Sequence, residues 1–187
     1  IAPTVVTSVA TTVGPAATQQ TLRDAMPLAC VQLVQDMVAD MLGTMMVVTD
    51  MDAHPVTQVS NPSGLFSTLM RGPDALRACM PVWRELAHSP SLAPTFVPNE
   101  MGLLCARGLI RMGGDLAGMV VIGGIAPESW PPSDAQVTTI AHTFDVPESD
   151  IRAHISDVYR LDRPARERAL RFVQRVADQV EERDLLH

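Results

Sequence analysis

Apolar residues recur at helical spacing in the first strongly patterned part of the chain. Leu33, Met37 and Met41 stand four positions apart, and Gly43 follows them where glycine commonly ends a helix. This pattern predicts an amphipathic helix over residues 28–42.

Two later regions have the apolar runs of β-strands, and each of them predicts a hairpin. In the first, "TMMVVTD" and "PVTQVS" flank a bend at residues 51–54. In the second, "LLCARGLIRM" and "LAGMVVIGGIAP" flank Gly113, Gly114 and Asp115. The last run is nearly all apolar and therefore predicts a central strand that is covered on both faces. A proline-rich connection ahead of the second hairpin has room for one short edge strand near Phe96.

The other patterned stretches are helical. Helices are predicted in "LFSTLMR", in "PDALRACMPVWRELAH", from Ser133 or Asp134 to about Phe144, in "VPESDIRAHISDVY", and from about Arg163 to Leu186. The apolar stripe of the last helix is narrow and near heptad spacing, which is typical of packing against a second helix.

The order of elements is therefore helix, hairpin, helices, hairpin, helices. Strands joined by short turns pair antiparallel, and we expect the helices to gather on one face of the sheet. The sequence predicts an α+β fold in which an antiparallel sheet is covered by helices, with flanking helices at its N- and C-terminal ends.

Composition and charge exclude several functional classes. A net charge of −7 and a pI near 5.1 argue against binding to nucleic acid, whose phosphates require clustered cations. All 14 basic residues are arginine, so mechanisms that need lysine are excluded. No apolar run reaches the length of a membrane span. Three widely spaced cysteines favour a reducing cytoplasm over a disulfide framework.

Residues that could carry catalysis or ligate a metal are isolated from one another. Cys79 and Cys105 have no Cys or His within four positions, and packing as buried thiols is favoured over ligation. The five histidines are scattered, without the spacing of a zinc site. Asp50 and Asp52 lie at a strand end, where turn chemistry explains them. The sequence therefore predicts no enzymatic activity, no metal and no cofactor.

Five stretches of the chain resemble, in this order, the PocR-type sensory domain. They are "LVQDMVADMLGTMMVVTDMDAHPVTQVSN", "LFSTLMRGPDALRAC", "LLCARGLIRM", "LAGMVVIGGI" and "FDVPESDIRAHI". The resemblance implies a PAS-like variant fold and a cytoplasmic ligand sensor ahead of an output module, with small hydrocarbon derivatives as ligands. The positions that match family markers are Phe66, Cys79, Cys105, Gly108, Leu109 and Gly124. The chain departs from the family pattern at Ser67, Ala106 and Arg107, where the family usually has Cys, His and Ala.

An apolar cavity between the sheet and its helices is the predicted ligand site. Since alternate strand residues face opposite ways, the row of Met46 and Val48, with its cross-strand neighbours, is expected to enclose this cavity. On the second hairpin, the row that contains Cys105 is expected to face the cavity near Cys79. Arg107 in that row either contacts an acidic or oxygenated ligand or points its head to solvent. The predicted ligand-binding residues are Met46, Val48, Phe66, Cys79, Cys105, Arg107, Leu109, Ile122 and Gly124.

These patterns divide the chain into three segments. Residues 1–27 are interpreted as an N-terminal arm or linker, residues 28–162 as the sensory domain, and residues 163–187 as a signalling and dimerisation helix. The predicted function is that of a small-molecule sensor domain within a larger bacterial signalling or transcription-regulatory protein. Its predicted partners are a small apolar or oxygenated ligand and a second copy held through the terminal helices, without contact to membrane or nucleic acid. The alternative is a ligand-free dimerisation module whose core fills the space between sheet and helices.

Overall fold

A computed structural model of the protein describes Leu22, residues 27–112 and residues 114–182. Most of the predicted N-terminal arm, and the end of the predicted last helix beyond residue 182, lie outside these ranges. The strands are β1 (Met45–Asp50), β2 (Val97–Pro98), β3 (Leu104–Met112) and β4 (Asp115–Ile125). The helices are α1 (Leu28–Leu42), α2 (Gly64–Leu69), α3 (Ala75–His88), α4 (Asp134–Phe144), α5 (Glu148–His154) and α6 (Arg163–Glu182).

Local signals in the sequence explain where several helices begin and end. Gly43 ends α1 in the left-handed conformation, with φ +64°, which glycine adopts without steric cost. Ser133 begins α4, where its side chain and that of Gln136 form a capping box. Ser63 begins α2, since its hydroxyl accepts a hydrogen bond from Phe66 N. These helix boundaries are properties of short stretches of chain, and the predicted end at Gly43 and start at Ser133 are confirmed.

The sheet has four antiparallel strands in the order β1-β4-β3-β2, which confirms the α+β class. The second predicted hairpin and the short edge strand are present. The first predicted hairpin is only partly formed: residues 55–60 return antiparallel along β1, with bridges at Met46–Ser60 and Thr49–Pro55, but they form no regular strand. The other edge of β1 pairs along its whole length with β4, from Met45 opposite Gly123 to Asp50 opposite Gly118.

Helices cover both faces of the sheet, which corrects the expectation that they gather on one face. We call the two sides the helical-layer face, packed by α2 to α5, and the flanking-helix face, packed by α1 and α6. The strands are apolar on both sides: Val47, Cys105 and Val121 lie on the helical-layer face, whereas Val48 and Ile122 lie on the other. A sheet whose strands are apolar on both sides needs cover on both sides.

The C-terminal helix α6 packs directly on β3. Its Ala169, Val173 and Ala177 are fully buried in the core of the flanking-helix face. A Cβ added at Gly108 would lie 2.5 Å from the carbonyl oxygen of Val173, so the two backbones are in close contact. The apolar stripe of α6 therefore packs on its own sheet, and not on a second helix as the spacing predicted.

Candidate functional site

An apolar cavity of about 80 Å³ lies on the helical-layer face, between the sheet and helices α3 and α4. Side chains of α2, α3 and α4 form one wall, and the row of Val47, Cys105 and Val121 forms another. The aromatic and bulky apolar members of the lining are Phe66, Val82, Trp83, Met101, Ile140 and Phe144. Most of the lining is therefore apolar.

A β-bulge shapes the sheet side of this cavity. Between the pairs Leu104–Ile125 and Ala106–Ile122, β3 has one residue, Cys105, and β4 has two, Gly123 and Gly124. Gly124 has φ +73°, and a Cβ there would lie 3.0 Å from the side chain of Met45. Gly124 thus permits the bulge, and both glycines keep the cavity wall free of side-chain bulk.

The two cysteines of the lining are buried, neutral thiols. Burial raises the pKa of Cys79 to about 12. It also raises the pKa of Cys105 to about 12, with a smaller contribution from the negative charge of Glu85. The Cys105 thiol donates a weak hydrogen bond to the carbonyl oxygen of Val97 at 3.5 Å. Since the thiolate is the nucleophile and metal ligand, both side chains act at neutral pH as apolar wall atoms.

Polar groups are confined to the mouth of the cavity. Glu100, Thr139 and Thr143 are exposed members of its lining. Asn99 is half-buried, and its side-chain oxygen accepts hydrogen bonds from the backbone N–H groups of Met101 and Leu103, each at 3.0 Å. A guest can therefore bury carbon inside while a hydroxyl or similar group remains near Glu100 and the threonines.

The structure brings together only some of the predicted ligand-binding residues. Those in the lining are Met46, Phe66, Cys79, Cys105 and Gly124, although the Met46 side chain also packs in the opposite core. Val48 and Ile122 lie on the flanking-helix face, so the predicted cavity row of β1 is one residue out of phase: Val47 faces the cavity instead. Leu109 lies on the correct face but outside the lining.

Arg107 does not line the apolar cavity, and its head does not point to solvent. It is only 4 % exposed, and its Nε donates to the carbonyl oxygen of Leu86. Its Nη2 donates to the carbonyl oxygens of Ser89 at 2.8 Å and Ser91 at 2.9 Å. Burial lowers the pKa of this guanidinium. Arg107 therefore satisfies carbonyls at the C-terminal end of α3 and in the segment that follows, away from the apolar cavity.

Apart from Cys79, the apolar lining from α3 and α4 was missed by the sequence interpretation. Trp83 and Ile140 were not among the predicted ligand-binding residues, and the segment from Asn99 to Met101 was interpreted only as part of the proline-rich connection. The helical spacing of Cys79 and Trp83 places both on one face of α3 and was the signal available. It did not show that this face meets a cavity.

The acidic turn after β1 has the bonding of a turn. Asp50, Asp52 and His54 offer ligand atoms within 4.8 Å of one another. The buried Asp50 carboxylate already accepts from the backbone N–H of Asp52 at 2.9 Å and of His54 at 2.8 Å, and its second oxygen is 3.2 Å from His54 Nδ1. These hydrogen bonds hold the chain reversal.

Comparison with protein-family models identifies the class of the chain. The model described as the sensory domain found in PocR matches residues 24–185. The chain is therefore a sensory domain, and it belongs to the PocR family, as its motifs indicated. Neither the curated proteins nor the solved structures contain a match to it. In the part of the chain that the structure describes, no helix is both long and apolar enough to cross a membrane.

Proposed function

We propose that this chain is a cytoplasmic sensor domain of a larger bacterial signalling or transcription-regulatory protein, and that it binds a small hydrocarbon derivative. The apolar cavity on the helical-layer face carries the proposal, since concave apolar sites with a few polar groups at one side are the usual form of small-molecule sites. The absence of an adjacent nucleophile and base in its lining supports binding over catalysis.

The volume of the cavity limits the ligand. Because an apolar cavity of about 150 Å³ binds benzene, a cavity of about 80 Å³ holds about three to five non-hydrogen atoms. Each buried methylene contributes about 0.8 kcal/mol. The best small ligands gain at most about 1.5 kcal/mol per atom, so five atoms correspond to a dissociation constant in the micromolar range or weaker. Short diols have this size, and their hydroxyls fit the polar mouth.

Strand β3 is the proposed route from the cavity to the C-terminal helix. Cys105 faces the cavity, whereas Ala106 and Gly108 face α6 on the other side of the same strand. A ligand that favours one position of this strand shifts the equilibrium of α6 by its difference in affinity for the two positions. The close backbone contact at Gly108 leaves little slack for β3 to move without α6.

A matched pair of cysteine substitutions tests the binding site. Cys79→Leu adds bulk to the cavity wall, whereas Cys30→Leu makes the same chemical change on the exposed surface of α1. We expect millimolar short diols to raise the melting temperature of the wild type and of Cys30→Leu in a saturable way, and not that of Cys79→Leu. Circular dichroism confirms that each variant is folded. A wild type that no short diol or alcohol stabilises would overturn the proposal.

An exposed apolar stripe on α1 supports a second candidate function, assembly with another copy of the chain. Leu33, Met37 and Met41 are 61 %, 64 % and 66 % exposed and lie on one side of the helix. Such a stripe is typical of a helix that packs against a partner. Since the stripe of α6 is already buried on β3, the proposed homodimer contact lies on α1.

Sedimentation equilibrium tests this dimer. Met37→Glu places a charge in the stripe, and Leu92→Glu places the same charge on another apolar side chain that is 65 % exposed. We expect a dimer for the wild type and for Leu92→Glu, and a monomer for Met37→Glu. A wild type that is monomeric at high concentration would remove the dimer and leave the sensor proposal intact.

A further inference from the structure

A second cavity, of about 130 Å³, lies at the end of α3 beneath the segment of residues 89–98. Val82 lines this space and the apolar cavity alike, so the two are neighbours along α3. The second cavity differs in chemistry, because charged Arg107 and Glu85 are both in its lining. The proposed binding of a diol in the apolar cavity does not involve this second cavity.

The guanidinium of Arg107 is an unusual component for a cavity wall. It is 4 % exposed, and no carboxylate lies within ion-pair distance of it among the described residues. Three main-chain carbonyl oxygens accept from Nε and Nη2, but they are dipoles and carry no full charge. A buried cation without a counter-ion is unfavourable, so the site favours an anion.

One guanidinium nitrogen remains available to such an anion. Nη1 of Arg107 has no hydrogen-bond acceptor among the described residues. In the described part of the chain, two buried side-chain polar atoms have neither a hydrogen-bond partner nor accessible surface: Thr44 Oγ1 and Gln174 Oε1. Nη1 of Arg107 is not among them. Nη1 therefore keeps accessible surface, and the open space that borders Arg107 is the second cavity.

We infer that the second cavity binds a small carboxylate, with one oxygen accepting a hydrogen bond from Nη1 of Arg107. The cavity is slightly smaller than the space of about 150 Å³ that holds benzene, which limits the guest to about four to six non-hydrogen atoms. A charge-assisted hydrogen bond to a desolvated guanidinium supplies most of the affinity. The carboxylate is a monoanion, whereas the higher charge of inorganic phosphate would be repelled more strongly by Glu85.

Glu85 decides which carboxylates fit best. Its carboxylate lines the same cavity as Arg107, and its negative charge is felt at Cys105. A ligand that carries an ammonium group beside its carboxylate, as glycine does, can meet Arg107 with one end and Glu85 with the other. A plain acid such as acetate meets Arg107 alone.

The test compares anions at equal ionic strength by the melting temperature of the full 187-residue chain. We expect a saturable rise with sodium acetate and none with sodium chloride beyond the effect of ionic strength. Ala93→Phe fills the second cavity from its exposed rim, and Ala29→Phe makes the same change on the exposed surface of α1. We expect Ala93→Phe to raise the apparent dissociation constant for acetate by about tenfold or more, and Ala29→Phe to leave it unchanged.

Several outcomes separate the possibilities. If glycine binds more tightly than acetate and loses this advantage in Glu85→Gln, the cavity is an amino-acid site. If glycine and acetate bind equally, the cavity is a plain carboxylate site. Both outcomes support the inference. An acetate response equal to that of chloride, a response that survives Ala93→Phe, or phosphate binding more tightly than acetate overturns it. Cys79→Leu is expected to keep the acetate response while losing that to diols, so this site and the diol site fail independently.

Discussion

Replacing Gly108 with alanine tests whether the backbone of α6 rests directly on β3. The added Cβ would lie 2.5 Å from the carbonyl oxygen of Val173 and 3.1 Å from the Cβ of Ala177. Carbon–oxygen contacts are rarely closer than about 3.3 Å, so α6 must move away from β3 by about 0.8 Å at this point. Overpacking of this kind costs about 1–3 kcal/mol. Loss of the glycine's extra unfolded-state entropy offsets about 0.5–1 kcal/mol of that.

We therefore expect Gly108→Ala to lower the free energy of unfolding by about 1–2 kcal/mol, measured by urea titration. Hydrogen exchange should be faster in α6 than in α3 or α4, because the strain falls on the contact between α6 and β3. Gly123→Ala is the matched control. Its Cβ would lie 3.5 Å from the Cβ of Cys105, an ordinary contact. If Gly108→Ala is as stable as Gly123→Ala and α6 keeps its protection, the close packing of α6 on β3 is refuted.

Three further predictions follow from particular side chains. Gln35→Leu should lower the free energy of unfolding, measured in urea, by about 2–4 kcal/mol. The reason is that the buried Gln35 side chain donates to Met46 O and Gln58 O and accepts from Thr57 Oγ1. A loss of stability no larger than that caused by Gln32→Leu, at a half-buried position, would contradict this. Folding raises the pKa of Cys79 and of Cys105 from 9.0 to about 12, so the unfolded state loses these protons at a lower pH than the folded state does. The free energy of unfolding should therefore hold below pH 9 and fall as the pH rises from 9 towards 12. A variant with both Cys79→Ala and Cys105→Ala should lose less stability over this pH range than the wild type. The same pH profile in the variant and the wild type would refute this prediction. Finally, diol binding should change the fluorescence of Trp83, because Trp83 lines the apolar cavity. The change should be equal in the wild type and in Trp130→Phe. A fluorescence change that vanishes in Trp130→Phe would place the ligand elsewhere.

The elements that short-range chemistry determines were predictable from the sequence. Helix α1 with its terminal Gly43, helix α4 with its capping Ser133, and the β3–β4 hairpin depend on residues close together in the chain. The family motifs were readable for the same reason, and the match over residues 24–185 confirmed them.

The position of the apolar cavity was only partly predictable. Period-two alternation divides β1 into two rows, but Val47 and Val48 are both apolar and both buried, so composition does not say which row meets which core. The choice depends on how β1 is held between β4, which presents two apolar faces, and residues 55–60 on its other edge. The pairing of β1 with a strand far away in the sequence is a property of the folded chain.

Sequence alone determined most of the secondary elements, the α+β class and the family of this protein, since each of these depends on local spacing and turn chemistry. Tertiary structure decided that helices cover both faces of the sheet, that the Val47 row borders the cavity, and that Arg107 turns to the carbonyls after α3. The physical reason is the same in all three cases. A side chain's partner is set by which surfaces remain to be buried or satisfied after the strands have paired, and those partners come from parts of the chain far apart in sequence.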